Sequence, residues 1–315
     1  MAVVRYQRSR VYSLIVGTKD RAVKFNNTLN ISFKCIKSSN NKDRKNEASI
    51  EIYNLAPETR KLLEEPYVQV QLQVGYKDDD DLITLFTGQV TNISSSKIAP
   101  KLTSRRGTTL ITKLDIEELY EALNNTAVAS TVPVGKTVRD AILETIRYMP
   151  EVTRHEIGGK NVERVLLDGA SLNGTPRKVL DKLSRENNIE WQIDQGVLYV
   201  SDIGGTYSNN KESVPLIGQM SGLIDRPEYI NEDNKRFQRI ARAAEEGVAP
   251  PKEKNPKKNS LKIKTLLNPR IKAGGIIKLE FEDLTGYYKV DSVEYVGEYR
   301  GNDWYSTLIC TQKLD

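Results

Sequence analysis

The 315-residue sequence is poor in the residue types on which catalysis and metal binding usually rest. It holds a single histidine, His155, and two cysteines, Cys35 and Cys310. His155 lies in EVTRHEIGGK with no serine, cysteine or carboxylate arranged as a nucleophile and base pair, so it reads as a solvated loop residue. The cysteines sit in alternating apolar stretches, behind Ile31 and Phe33 in one case and Leu308 in the other, and read as small buried residues. One histidine and two isolated cysteines also lack the close spacing of zinc ligands, so no metal site is expected.

Long apolar runs are missing too. None approaches the ~20 residues of a membrane span, and the opening MAVVRYQRSRVYSLIV interleaves arginines with apolar residues, unlike a signal peptide. Asn-x-Ser/Thr triplets begin at Asn26, Asn30, Asn92, Asn124 and Asn173, but no secretion route accompanies them. The net charge of +5 falls short of the concentrated basic stripe of a dedicated nucleic-acid binder. What is present, 38% hydrophobic and 28% charged residues, is the composition of an ordered soluble chain, and the length suggests two to four sub-domains.

The remaining candidates for chemistry each have a plainer reading. Glu117/Glu118 and Glu282/Asp283 could be pictured as a glycosidase acid and nucleophile, yet nothing separates them from solvated faces. The glycine pairs Gly158/Gly159, Gly204/Gly205 and Gly274/Gly275 lack the strand and helix of a phosphate cradle and read as turns. Lys252, Lys254, Lys257 and Lys258 have no interleaved aromatics and read as a solvated run with, at most, weak contact to DNA or an acidic neighbour. No catalytic, cofactor-binding or metal residue is therefore assigned, and no enzyme or cofactor is expected.

Strand rhythm dominates the first hundred residues. YVQVQLQVGY puts Val68, Val70, Leu72 and Val74 on one face and Gln69, Gln71 and Gln73 on the other, where the glutamines face solvent. SIEIY, LNISFKC and FTGQVTNI alternate likewise, interrupted by a helix in APETRKLLEE between Pro57 and Pro66. SSNNKDRKNE, residues 38 to 47, reads as a long exposed hairpin tip with nothing in it that favours burial, and Asp78 to Asp81 as a solvated turn.

The middle turns helical: Val138, Ala141, Ile142, Ile146 and Met149 follow helical spacing behind a Thr137 cap, and Thr175/Pro176 start a second helix over Val179, Leu180 and Leu183. IEWQIDQGVLYVSD then forms a hairpin turning at Gln195 and Gly196, and residues 232 to 260 lose the apolar pattern. Strands return in LKIKTLLNP, GGIIKLEF, YYKVDSVEYVGEY and WYSTLICTQ. IEIYNLAPE aligns with IKTLLNPRI, VQVQLQVGY with IIKLEF, and GQVTNISS with YKVDSVEYV, a pattern that suggests a diverged internal duplication.

NKDRKNEASIEIYNLAPETRKLL followed by VQVQLQVGY and LFTGQVTNI resembles the opening domain of phage baseplate hub and tail proteins. LDGASLNGTPRKVLDKLSRENNIEWQIDQGVLYV resembles the family's inserted α/β module. LKIKTLLNPRIKAGGIIKLEF and GYYKVDSVEYVGEYRGNDWYSTL resemble its closing barrel, with the Leu-Leu-Asn-Pro and Gly-Asn-x-Trp-Tyr segments.

The resemblance implies an α+β, mainly β chain: two tail-tube-like antiparallel β-barrel domains with an inserted α/β module. The expected units are 1–98, the first barrel; 99–205, connecting strands and the insert with helices near 137–149 and 175–187; and 206–315, the second barrel with the charged loop 232–260. It implies a homotrimeric, pseudo-six-fold hub similar to that of T-even phages, joining a six-fold tail tube to a three-fold central spike beside other baseplate proteins. Genomic DNA would pass only in transit, no small-molecule substrate is involved, and the hub would sit in the virion tail after assembly in the host bacterial cytoplasm. The hairpin at 38–47 would reach a neighbouring subunit. The alternatives are the hub of a non-phage contractile injection system and a tail-associated cell-wall hydrolase, for which the β regions and insert leave little room.

Overall fold

A computed structural model of the chain describes residues 10–18, 20–39, 46–77, 82–98, 109–206, 214–230 and 260–312. The hairpin tip over 40–45, the acidic run Asp78 to Asp81, and the charged loop from 232 to 259 with its lysine cluster lie outside the described residues.

Alternation produces the strands it predicts. The first group comprises β1 (Arg10–Gly17), β2 (Ala22–Asn26), β3 (Ile31–Ser38), β4 (Glu47–Tyr53), β5 (Gln69–Tyr76), β6 (Ile83–Ile98) and β7 (Thr109–Glu117). On β5 the Val70, Leu72 and Val74 side chains are buried while the glutamines point away from the core. Helix α1 (Pro57–Leu63) begins at its proline, where a missing amide costs nothing, and buries Leu62 and Leu63.

The insert holds a short helix α2 (Tyr120–Asn124), β8 (Val128–Val132), α3 (Val138–Ile146), β9 (Arg154–Ile157), β10 (Ala170–Gly174), α4 (Pro176–Asn187), β11 (Ile189–Asp194) and β12 (Val197–Asp202). A reciprocal cap opens α3: the Thr137 amide donates to Asp140 Oδ2 at 2.9 Å and the Asp140 amide to Thr137 Oγ1 at 3.2 Å. Asn188, at φ 54°, closes α4 in the left-handed region. Gln195 (φ 54°) and Gly196 (φ 76°) both take positive φ, which gives the β11–β12 hairpin a two-residue turn matching strand twist.

The closing strands are β13 (Leu216–Gly218), β14 (Glu228–Ile230), β15 (Ser260–Leu266), β16 (Ile276–Glu280), β17 (Gly286–Glu298) and β18 (Trp304–Gln312). They do not form a sheet of their own. One 13-stranded sheet runs β14-β15-β18-β17-β3-β4-β7-β6-β5-β1-β2, with β16 and then β13 attached to β17, and no path closes on itself among the described residues. Pairing is antiparallel apart from β13–β16 and, in the insert, β9–β12. The chain is thus mainly β. One apolar core serves both ends of the sheet, from Tyr12 to Cys310, and a second fills the insert, from Ala122 to Val200.

The suspected duplication is visible in the strand order. The first half reads β3-β4-β7-β6-β5-β1 and the second β14-β15-β18-β17-β16-β13, six positions in the same sequence, differing only in the parallel β13. Equivalent rows of apolar side chains cross each half: Ile50, Leu114 and the half-buried Ile93 in one, Ile263, Leu308 and Val293 in the other. The next row pairs Ala48, Ile116 and Val90 with Leu261, Cys310 and Val290. Immediately after it both long strands slip register, between Val90 and Asn92 and between Val290 and Ser292. A bulge at the same place in both copies is a specific feature, because bulges set the local bend of a sheet.

The halves meet at Gly297, opposite Phe33 on β3 and Trp304 on β18. The Phe33 ring covers the glycine and meets Trp304 edge-on with centroids 5.5 Å apart, so a Cβ at 297 would stand 2.2 Å from the ring. Gly297→Ala is expected to destabilise the fold by about 1–3 kcal/mol in chemical denaturation, through displacement of Phe33. Gly286→Ala on the same strand, where the nearest atom is 3.7 Å away, should change stability far less.

Candidate functional site: the seam and the junction beside it

The surface with the most specific construction is the contact between halves. Residues 292–298 of β17 pair antiparallel with β3, from Ser292 opposite Ser38 to Glu298 opposite Ser32. The Tyr299 amide donates to the Ile31 carbonyl at 2.9 Å and the Ser39 amide to that of Asp291 at 2.9 Å, which fixes the odd-numbered residues of both strands as the hydrogen-bonded pairs. Lys34 and Glu294 pair at 2.9 Å on the outer face. Arg10, on β1, donates to the carbonyls of Glu298, Gly301 and Asn302 at 2.9–3.0 Å and lies over the Trp304 ring. Burial pulls its guanidinium below the usual value. Tyr76 Oη adds a bond to the Leu267 carbonyl at 3.0 Å.

Beside the seam the insert is held by buried charge. All six residues of β11 are buried, so the side that faces away from its own core carries Glu190, Gln192 and Asp194 into the sheet. Asp194 forms an ion pair with Lys37 of β3 and lies 3.0 Å from Lys272 Nζ of the second half. Glu190 pairs with Lys289 of β17, and Gln192 donates to the Ala273 carbonyl at 2.7 Å. One hairpin therefore contacts both halves. Burial raises Glu190; Asp194 is held below the ordinary carboxylate value because Lys37 and Lys272 outweigh its burial.

Glu118 completes the junction. It is 5% exposed, accepts from Asn46 Nδ2 at 3.1 Å and from the Gln195 amide, and burial pushes its carboxyl up to about 7. The reading of Glu117/Glu118 as a solvated face is corrected here: Glu117 pairs with Arg177 of α4, and the cavity beside the two carboxylates holds only about 20 Å³. That is room for one water, not a sugar. The ends of the predicted exposed hairpin are corrected too. Ser38, Ser39 and Asn46 are buried, since Asn46 also donates to the Ile193 carbonyl of the insert.

The other sequence candidates are scattered. His155 is exposed on β9, opposite Leu198, and Glu282 makes an exposed pair with Arg226 at 3.1 Å. Cys35 and Cys310 are fully buried free thiols, Cys35 pushed up to about 12 by burial. Gly159, Gly204 and Gly274 turn the chain at positive φ. Among the described residues no cluster of three His, Cys, Asp or Glu side chains could hold a metal, and no helix is long and apolar enough to cross a membrane. The residues that sequence reasoning missed are Lys37, Asp194, Glu190 and Lys289. One signal was available, since Lys37 follows Ile31, Phe33 and Cys35 in the inward phase of β3.

A family model described as baseplate hub gp41 matches residues 11–240. Among solved structures the chain is similar to the tail protein from Neisseria meningitidis MC58, at 11% identity and a TM-score of 0.60 over 96% of this chain and 97% of that one. It is similar to the 43 kDa tail protein of prophage MuSo2 from Shewanella oneidensis, at 8% identity and 0.57 over 95% and 96%. It is also similar to the Escherichia coli c3393 protein, described as a type VI secretion component with structural similarity to T4 phage tail proteins gp27 and gp5, at 12% and 0.56 over 98% and 75%. At these identities the likeness is one of fold. No curated protein matches the chain.

Two outcomes test the junction. Lys37→Met, which leaves Asp194 and Glu118 buried without their nearest cation, is expected to cost about 3–5 kcal/mol in denaturation at neutral pH. Glu118 should also make stability depend on pH. Its folded value, about 7, lies above its ordinary 4.5, so the stability it contributes is full below 4.5 and is lost as pH rises through 7. Wild type should therefore lose stability relative to Glu118→Gln across that interval in paired thermal melts. Asp194 acts oppositely, losing its contribution only in more acid solution.

Proposed function

The chain belongs to the baseplate hub gp41 family, and from that premise we propose that it is a structural hub whose three copies form a ring of six β units. In this reading 1–98 and 206–315 are the two tube-like barrel units, 99–205 holds the connecting strands and the insert, and β7 of that stretch completes the first unit while the insert braces both. The ring joins a six-fold tail tube on one side to a three-fold central spike on the other, beside other baseplate proteins, and DNA crosses its lumen only in transit. The protein sits in the virion tail after assembly in the host cytoplasm. It acts on no small-molecule substrate and catalyses nothing.

The observation that carries this reading is the repeated six-strand order, with its matching apolar rows and matching bulges. A chain containing two equivalent units meets a six-fold partner six times with three copies, while its non-repeated insert keeps the assembly three-fold. Such an adaptor works by interface area and shape, so a junction built to fix relative orientation serves it directly. The likeness to a type VI secretion component favours a second reading, the hub of a non-phage contractile injection system, which requires the same ring.

Light scattering over a concentration series, with and without the tail tube protein, should find a species near three times the 35.6 kDa chain. Negative-stain images should show it as a ring. A protein that stays monomeric with its tube partner, or forms closed dimers, contradicts the reading.

A further inference from the structure

The two long strands differ in one respect that their equivalence makes conspicuous. On a single edge β17 pairs first with β16, through Gly286 to Lys289, and then with β3, through Ser292 to Glu298. Strand β6 pairs with β5 through Ile83 to Gln89, and beyond that point the same edge, Asn92 to Ile98, has no partner among the described residues. At the far end of the sheet β14, which occupies the place of β3 in the second half, pairs with β15 and has no partner on its outer edge among the described residues. The described residues therefore carry both sides of a seam that the chain has already made once, at β6 and at β14, and the two are not paired with each other.

We propose that the open edge of β6 takes β14 of a second copy of this chain, in the register of the intrachain seam. The register follows from the equivalent rows. Lys34 lies opposite Ser49 as Glu228 lies opposite Lys262, and the rows equate Ser49 with Lys262, so Glu228 stands where Lys34 does. Lys34 faces Val296, whose counterpart on β6 is Ser96. Glu228 thus comes opposite Ser96 of the neighbouring copy, Tyr229 opposite Ser95 and Ile230 opposite Ser94.

Hydrogen-bond phase agrees independently. On β17 the even-numbered residues bond to β18, as the Glu298 amide to the Asp303 carbonyl at 2.7 Å, and the odd ones to β3. On β7 the even residues bond to β4, as the Leu110 carbonyl accepts from the Asn54 amide at 2.7 Å. Residues 109 to 115 with odd numbers therefore bond to the even residues of β6, leaving the amides of Ile93, Ser95 and Lys97 aimed out of the edge. On β14 the odd residue, Tyr229, is the one turned outward, as Cys35 is on β3.

Exposure points the same way. Cys35 and Tyr295, the facing pair inside the chain, are buried, whereas Tyr229 is 60% exposed and Ser95 is exposed. Open edges with unspent backbone groups recruit further strands, and the contact is head-to-tail, the kind that builds a ring when the rotation between copies closes, as the hub reading requires. One element is not repeated: the Lys34–Glu294 ion pair becomes Glu228 facing the Ser94–Ser96 run, so the copy-to-copy seam rests on backbone bonds and Tyr229.

This inference rests on the ring reading and is tested by paired cysteines. Glu228 and Ser96 are exposed and would form a non-hydrogen-bonded pair, with Cα atoms ~4.5 Å apart, within disulfide range. Under mild oxidation Glu228→Cys/Ser96→Cys should give a covalent ladder ending at three chains. The off-register pair Glu228→Cys/Ser94→Cys, at ~7–8 Å, should cross-link about tenfold less. Cys35 and Cys310 are buried and give little background. Rings of wild-type protein with no preference between the two pairs would overturn the register and leave the hub reading standing. Monomers throughout, with neither pair cross-linked, would overturn both.

Discussion

A strand edge is a row of amides and carbonyls that must find partners, and the pairing of β3 with β17 satisfies that demand for two halves of the chain at once. Nearly everything else in the fold is arranged around this contact. The apolar core is continuous beneath it, Gly297 lets Phe33 and Trp304 pack over it, and Arg10 ties the first strand to the turn beyond it. The sheet passes through the seam unbroken, and its edges at β6 and β14 have no further partner among the described residues.

The junction beside the seam does a different job. Hydrophobic contacts tolerate sliding, but Lys37–Asp194 and Lys289–Glu190 are satisfied in one geometry only, and a buried charge that loses its partner is costly. The β11–β12 hairpin therefore fixes the insert against both halves. Glu118 sits where the first half meets the hairpin, raised to about 7 by its burial, and makes the junction more stable when protonated. In the proposed role of an adaptor between assemblies of different symmetry, a fixed geometry serves more than the stability an apolar replacement would bring.

Local structure was legible in the sequence because local rules decide it. The alternation of YVQVQLQVGY, the Thr137 and Thr175 caps, and the Gln195–Gly196 turn each state their element within a few residues. The aligned segments anticipated the repeat, and the rows through Leu114 and Leu308 show why: the matches are core positions, the last to drift. Long-range pairing was not legible. Nothing in ISFKCIKS names a strand some 250 residues later as its neighbour, so the sharing of one 13-stranded sheet by both halves was not foreseen. The buried charges were hidden for a related reason. A lysine in an inward phase, or alternating Glu190, Gln192 and Asp194, reads as an exposed face until the opposing strand is known. Helix α2, entered through Leu119 at φ 47°, has no signal of its own.

The most direct test of the account is amide hydrogen exchange along β6, residue by residue, in free and assembled protein. Within the chain the amides of Val293, Tyr295 and Gly297 are tied into the seam and should be protected in both states. If the same seam is made between copies, Ser95, which comes opposite Tyr229, should exchange fast in the free chain and slow on assembly, while Ser94 and Ser96, bonded to β7, should stay protected throughout. Equally fast exchange at Ser95 in the assembled state would contradict it.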